Sequence, residues 1–237
     1  MNFPAIATGG KADPLKRSKG EPLWKKRWPI ESLNAKRADV GGRWFEANYQ
    51  GNPLPAETAA FRPDWVRLVD EAPPEDETIR CRGWDTASSE GKSADYTAGA
   101  RISYHAESGL YFIEHVTRGK LSPGRLKQRI GGTAQSDGYE TSVRIEREPG
   151  GSGLIAAEAL LEGLDDYDTD SVRASGSKDA RWEPLAIAME NGKVFIVADR
   201  AWAEEFIEEL LRVPSSAHDD MVDAASLAYS ELRKIAA

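Results

Sequence analysis

Cysteine and histidine are scarce in this sequence: Cys81 stands alone, and His105, His115 and His218 are the only imidazoles among 237 residues. A single cysteine excludes an internal disulfide and any multi-cysteine zinc site. A metal site in such a chain has to be built from carboxylates, which suits magnesium or manganese better than zinc. Long apolar runs are missing as well. No stretch approaches the roughly 18 apolar residues of a membrane span, and the leading MNFPAIATGGKADPLKRSKG lacks the apolar core of a secretory signal. The expectation is an intracellular protein with no membrane partner.

What is present is a hydrophobic fraction of 40%, enough for a packed core, and 30% charged residues. The net charge of -8 is unevenly spread. Residues 1–50 hold ten Lys/Arg and five Asp/Glu, a balance of +5, which leaves 21 basic and 34 acidic residues, or -13, in the remainder. An acidic body does not attract nucleic acid by bulk electrostatics, so any such binding has to rely on local basic patches and bound cations. A basic leading segment by itself reads as a solvated stretch.

Residues 1–20 read as an irregular Gly- and Lys-rich tail. Residues 21–55 are rich in aromatics (Trp24, Trp28, Trp44, Phe45 and Tyr49) but poor in aliphatics. Short helices are expected over 31–38 and 43–50, with the aromatics packing on something beyond the segment, either the body or a domain outside this chain. The acidic, proline-bearing 70–77 reads as a linker end. This gives a boundary between a tail, 1–77, and a body, 78–237.

In the body, strands are expected at 79–86, 96–105 and 110–118, the last two joined by a hairpin whose Gly109 takes the positive φ of the turn. A helix follows from Ser122-Pro123 to about Gln135, with proline at an early position. Then come a strand at 142–147, a helix at 152–163, a strand at 170–174 and a helix at 179–191 ending near Asn191-Gly192. A strand at 193–197 and helices at 200–212 and 219–235 close the order. Three strands followed by alternating helices and strands predict an α/β fold, with a mixed sheet flanked by helices. The first three strands are antiparallel and the later ones parallel.

Three acidic clusters fall at element ends. Asp85 ends the first strand; alone it reads as a turn or capping residue. Glu146 and Glu148, at i and i+2, share a face if the strand persists that far. His218-Asp219-Asp220-Met221-Val222-Asp223 opens the last helix, where acids are favoured by the macrodipole and as caps. Three acids in five residues exceed what capping requires; Asp219 serves as the cap, while Asp220 and Asp223 share a helix face. In the expected sheet the first strand is central and the fourth pairs beside it, so Asp85 and Glu146 become neighbours. Two carboxylates about 4 Å apart repel by roughly 4 kcal/mol at an effective dielectric of 20. A fold tolerates that with protonation or with a bound cation.

The ordered set GWDTA (83–87), DYTAG (95–99), IEREPGGSG (145–153), SGSKDARWEPLA (175–186) and HDDMVDA (218–224) resembles the nuclease domain of phage terminase large subunits. Residues 21–55, with EPLWKKRWPIESL and FEANYQGNPLP, resemble the end of the same family's ATPase domain. The resemblance implies an RNase H-like fold and a metal-dependent endonuclease that cuts double-stranded DNA during viral genome packaging, in the host cytoplasm. It implies two divalent ions, Mg2+ or Mn2+, and portal, small terminase and ATPase-domain partners. By matching position, Asp85 bridges both metals, Glu146 is the later-strand acid with Glu148 as the alternative, and Asp220 is a ligand. Asp219 and Asp223 are further metal ligands, and Lys178 and Arg181 hold DNA phosphates. His218 hydrogen-bonds a ligand or water, or is a plain helix-entry residue. Gly150, Gly151 and Gly153 allow close backbone approach or form a turn. Trp84 and Trp182 are packing residues. Gly91-Lys92-Ser93 is not a phosphate-binding loop, because Thr86 stands where its first glycine belongs; the motor's ATP site is expected to be absent from this chain. Two other readings stay open: a RuvC-like junction resolvase, and a prophage remnant or docking module that does not cut.

Overall fold

The computed structural model describes residues 3–9, 13–52, 59–86, 96–198, 201–216 and 218–236. Gly91-Lys92-Ser93, and parts of the 83–87, 95–99 and 45–55 motifs, lie outside them. The chain divides into two units, Met1–Thr58 and Ala59–Ala237.

The first unit holds helices α1 (Ile30–Val40) and α2 (Gly42–Asn48). Its leading segment is tied down. Ala5 N donates to Tyr49 O at 2.8 Å, Ile6 exchanges hydrogen bonds with the Gln50 side chain, and the Asp13–Arg17 ion pair is buried. Phe45 is buried and stacks on Tyr49, so these two aromatics pack within the unit. Trp24 and Trp28 stay 58% and 40% exposed.

The second unit is built on one mixed sheet, with strands β1 (Leu68–Val69), β2 (Thr78–Asp85), β3 (Thr97–His105), β4 (Leu110–Gly119), β5 (Thr141–Arg147), β6 (Thr169–Arg173) and β7 (Val194–Val197). Their spatial order is β1-β7-β4-β3-β2-β5-β6. β2, β3 and β4 are antiparallel neighbours and the remaining pairings are parallel. The expected mixed α/β sheet is thus present, with its expected first strand, β2, between β3 and β5. Gly109 takes φ +67° in the β3–β4 turn.

The division at Thr58 falls ahead of the expected boundary at 77. Residues 59–77 belong with the sheet unit: β1 pairs with β7, and Phe61 is buried in the main core.

Among the described residues, five helices cover the sheet: α3 (Pro123–Asp137), α4 (Gly151–Leu161), α5 (Lys178–Glu190), α6 (Ala201–Arg212) and α7 (Asp220–Ile235). Strand alternation sorts β2 between two cores. Trp84 joins Val143 and Ile145 of β5 in a core with Leu126, Ile130 and Ala157 of α3 and α4. Cys81 and the other strand face join Trp182, Phe206 and Met221 of α5, α6 and α7. On that face α7 lies directly on β2. A Cβ at Gly83 would stand 2.4 Å from Ala224 O and 2.8 Å from Ala228 N. Among the described residues, no helix is long and apolar enough to cross a membrane.

Candidate active site

The alternation that points Trp84 and Ile145 away from α7 points Asp85 and Glu146 toward it. The Trp84↔Ile145 pairing places these next residues side by side where β2 and β5 end. The first turn of α7 ends over the same edge and brings Asp219, Asp220 and Asp223. Asp85, Glu146, Glu148, Lys178, Arg181, His218, Asp219, Asp220 and Asp223 all line one cleft of about 1100 Å³. Topology therefore gathers acids that stand far apart in the sequence.

Glu146, Asp219 and Asp223 are closed on basic partners. Lys178 Nζ lies 2.6 and 2.7 Å from the two Asp219 carboxylate oxygens and 3.5 Å from Asp223 Oδ2. Arg181 bonds Glu146 and reaches Asp223 Oδ2 at 3.4 Å. From the core side, Trp182 Nε1 donates to Asp223 Oδ1 at 2.5 Å. Trp182 is buried packing, as expected, and also fixes an acid. Asp219 is at the N-cap position of α7 but makes no side-chain cap bond, because its carboxylate is turned to Lys178; the expected capping role is corrected accordingly.

Burial pushes Asp85 well above the ordinary carboxylate range, and the charges of Asp223, Glu146 and Asp220 add to it. Burial likewise raises Glu146, Asp220 and Asp223, against the pull of Arg181 or Lys178. Lys178 is raised: burial lowers it, but Asp219 and Asp223 outweigh that. Among the described residues that line the cleft, seven carboxylates outnumber four cations, Lys127, Arg147, Lys178 and Arg181, so it is short of positive charge. Among the described residues, no group of three His, Cys, Asp or Glu side chains stands ready-made around a metal ion. Asp220 Oδ2 is nevertheless buried without a hydrogen-bond partner. An orphaned carboxylate oxygen in an oxygen-only donor set fits a hard divalent cation.

Glu146 is the last inward-facing residue of β5, whereas Glu148 lies beyond the strand. A Cβ on Gly153 would stand 2.3 Å from Glu148 O, so this glycine serves the tight turn into α4, with Gly150 at φ +112°. His218 meets the Tyr96 ring edge-on at 4.8 Å. Tyr96, itself a cleft residue, lies under the Arg118 and Lys120 cations.

Sequence reasoning missed Glu209 of α6. It is 5% exposed, and burial raises its carboxyl to about 7 although the Val222 and Met221 amides and Arg118 oppose the shift. The signal was available: Glu209 follows Phe206 by three residues, placing a charge on the apolar stripe of an amphipathic helix.

No curated protein matches the chain. Solved structures do. The P22 large terminase nuclease domain is 17% identical with a TM-score of 0.55, over 74% of this chain and 92% of that one. The large terminase nuclease from thermophilic phage G20c, solved with bound magnesium, is 20% identical with a TM-score of 0.50, over 75% and 99%. The human cytomegalovirus terminase nuclease domain, soaked in manganese, is 11% identical with a TM-score of 0.53, over 74% of this chain and 96% of that one. These likenesses carry the fold. A family profile described as the terminase RNaseH-like domain matches residues 82–232, which span β2 to α7 and hold every acid of the cleft. The chain belongs to the terminase RNaseH-like domain family.

Proposed function

We propose that the chain is a metal-dependent endonuclease that cuts double-stranded DNA in viral genome packaging, with Asp85, Glu146 and Asp220 as the catalytic acids. The observation that carries this reading is the convergence of three sequence-distant acidic clusters on one cleft, where burial raises Asp85, Glu146 and Asp220. Solved terminase nucleases of the same fold, such as that of phage G20c, hold magnesium or cobalt.

In this reading Asp85, Glu146, Asp219, Asp220 and Asp223 are the ligands of two Mg2+ or Mn2+ ions, and Glu148 is the alternative to Glu146. Such ions supply positive charge beside the attacking water and the leaving oxygen of a phosphodiester. The chain's own residues do the rest. Asp85, raised by burial and then by the charges of Asp223, Glu146 and Asp220, gains from being neutralised. Trp182 holds Asp223 from behind, leaving Asp223 Oδ2 toward the cleft. Lys178 and Arg181 lie among the acids and turn to DNA phosphates once the acids are neutralised otherwise. Phosphate contacts of this kind position a duplex without reading its sequence. Portal, small terminase and an ATPase domain are the proposed partners, and the host cytoplasm the proposed location.

The test is cleavage of supercoiled plasmid by the protein with manganese, beside Asp85→Ala. The reading expects nicked and linear products from the wild type and none from the variant. Cleavage that survives the substitution, or that never occurs at high protein concentration, contradicts it. Cutting confined to four-way junctions supports a resolvase instead.

A further inference from the structure

An α-helix begins with amide groups that have no partner inside the helix, and the residue at the N-cap normally satisfies those of the second and third positions. In α7 that residue is Asp219, and its side chain makes no such bond. The amides of Met221 and Val222 are instead taken by Glu209 Oε1, at 2.8 and 3.1 Å. The second Glu209 oxygen accepts from Arg118 Nη1 at 2.9 Å. The cap of α7 is thus supplied by another helix, α6, and braced by a cation from β4. This leaves Asp219 free to face Lys178 in the cleft.

We propose that Glu209 is a positioning residue that holds the first turn of α7, and with it Asp220 and Asp223, in register with Asp85 and Glu146. The inference rests on the metal-binding reading of the cleft, but its physical core does not. Glu209 is bracketed by bonds to the residue after Asp220 and the residue before Asp223. Its Arg118 partner also lies 4.6 Å from the Tyr96 ring centroid, so the same brace reaches the cleft wall. Without the carboxylate, two buried amides lose their acceptor together and Arg118 keeps only its Glu205 partner, so the turn that carries the acids is the part free to move.

Two variants separate the roles. Glu209→Met keeps the buried volume and removes both acceptors. Glu209→Gln keeps one acceptor oxygen for the amides. Hydrogen–deuterium exchange of the metal-free protein is read over residues 218–226 and over β2 and β5, and manganese affinity is measured by titration calorimetry. The proposal expects Glu209→Met to speed exchange over 218–226 at least tenfold, to leave β2 and β5 within twofold of wild type, and to weaken manganese binding about tenfold. Glu209→Gln is expected to stay within about threefold of wild type in both readouts. Unchanged exchange over 218–226 in Glu209→Met overturns the proposal, and so does a uniform rise across the sheet, which would mark a merely structural residue. If the wild type binds no manganese, the metal reading of the cleft fails, and the exchange pattern alone still decides the role of Glu209.

Discussion

Trp182 and Asp223 meet through a 2.5 Å hydrogen bond from the indole nitrogen to one carboxylate oxygen, formed between α5 and α7 in the main core. The bond fixes the direction of a carboxylate that is only 4% exposed. It ties the packing of the fold to the arrangement of the cleft. Replacing Trp182 by Phe keeps an aromatic ring but removes the donor. Hydrogen bonds to charged groups are worth about 1.5–3 kcal/mol. Urea unfolding should therefore show Trp182→Phe destabilised by about 2 kcal/mol, and an unchanged midpoint would contradict that weight for the bond.

Asp85 should be a residue that costs stability. Its carboxyl is raised by burial and by three neighbouring carboxylates, which means its charged form is disfavoured where it sits. Asp85→Asn removes the charge and keeps the shape. In chelator at pH 8, thermal unfolding should show the variant more stable than wild type by about 1 kcal/mol, a fraction of the cost of a buried unpaired charge. In the plasmid assay the same variant should be inactive. A variant that is both less stable and inactive would point to simple misfolding.

Gly83 is where α7 comes down on the sheet, with Ala224 O at 2.4 Å from the position a Cβ would take. The atoms facing it are helix backbone, which gives way poorly. Overpacking of this kind costs about 1–3 kcal/mol, occasionally more. Gly83→Ala should lose at least about 2 kcal/mol in urea unfolding, and a neutral result would mean that α7 can lift from β2.

Glu209 gives the metal-free protein a defined pH dependence. Its folded carboxyl is raised from 4.5 to about 7, so between these values the native state holds a proton that the unfolded chain has released. Stability from this group is therefore full below about pH 4.5 and is lost as pH rises through about 7. Comparing wild type with Glu209→Gln isolates it. The wild type should gain up to about 3 kcal/mol relative to the variant as pH falls from 8 to 5. A flat difference, or one of opposite sign, contradicts the burial of a strained carboxyl.

Much of this arrangement was legible in the sequence because its periods are long enough to count. The runs at 78–85, 97–105 and 110–119 carry full strand patterns, and Pro123, Gly109 and Asn191-Gly192 mark element ends by their own backbone limits. β1 was not legible, since two residues, Leu68 and Val69, cannot display an alternation. Its strand character comes from pairing with β7, where Leu68 meets the sequence-distant Ile196. In the cleft the acids themselves were readable as clusters at element ends. Their partners were not: that Lys178 takes Asp219, or that Glu209 replaces Asp219 as a cap, depends on how α5 and α6 lie against α7. Lys178 and Arg181 were expected against phosphate, and they sit among the carboxylates.

The most direct measurement is anomalous scattering from crystals of this protein soaked in manganese. The account predicts manganese peaks inside the cleft, touching Asp85 together with Glu146 and Asp220, and Lys178 and Arg181 displaced from the acids. Manganese held only by Glu148 or by surface carboxylates, or a cleft without manganese at concentrations that support plasmid cleavage, would contradict it.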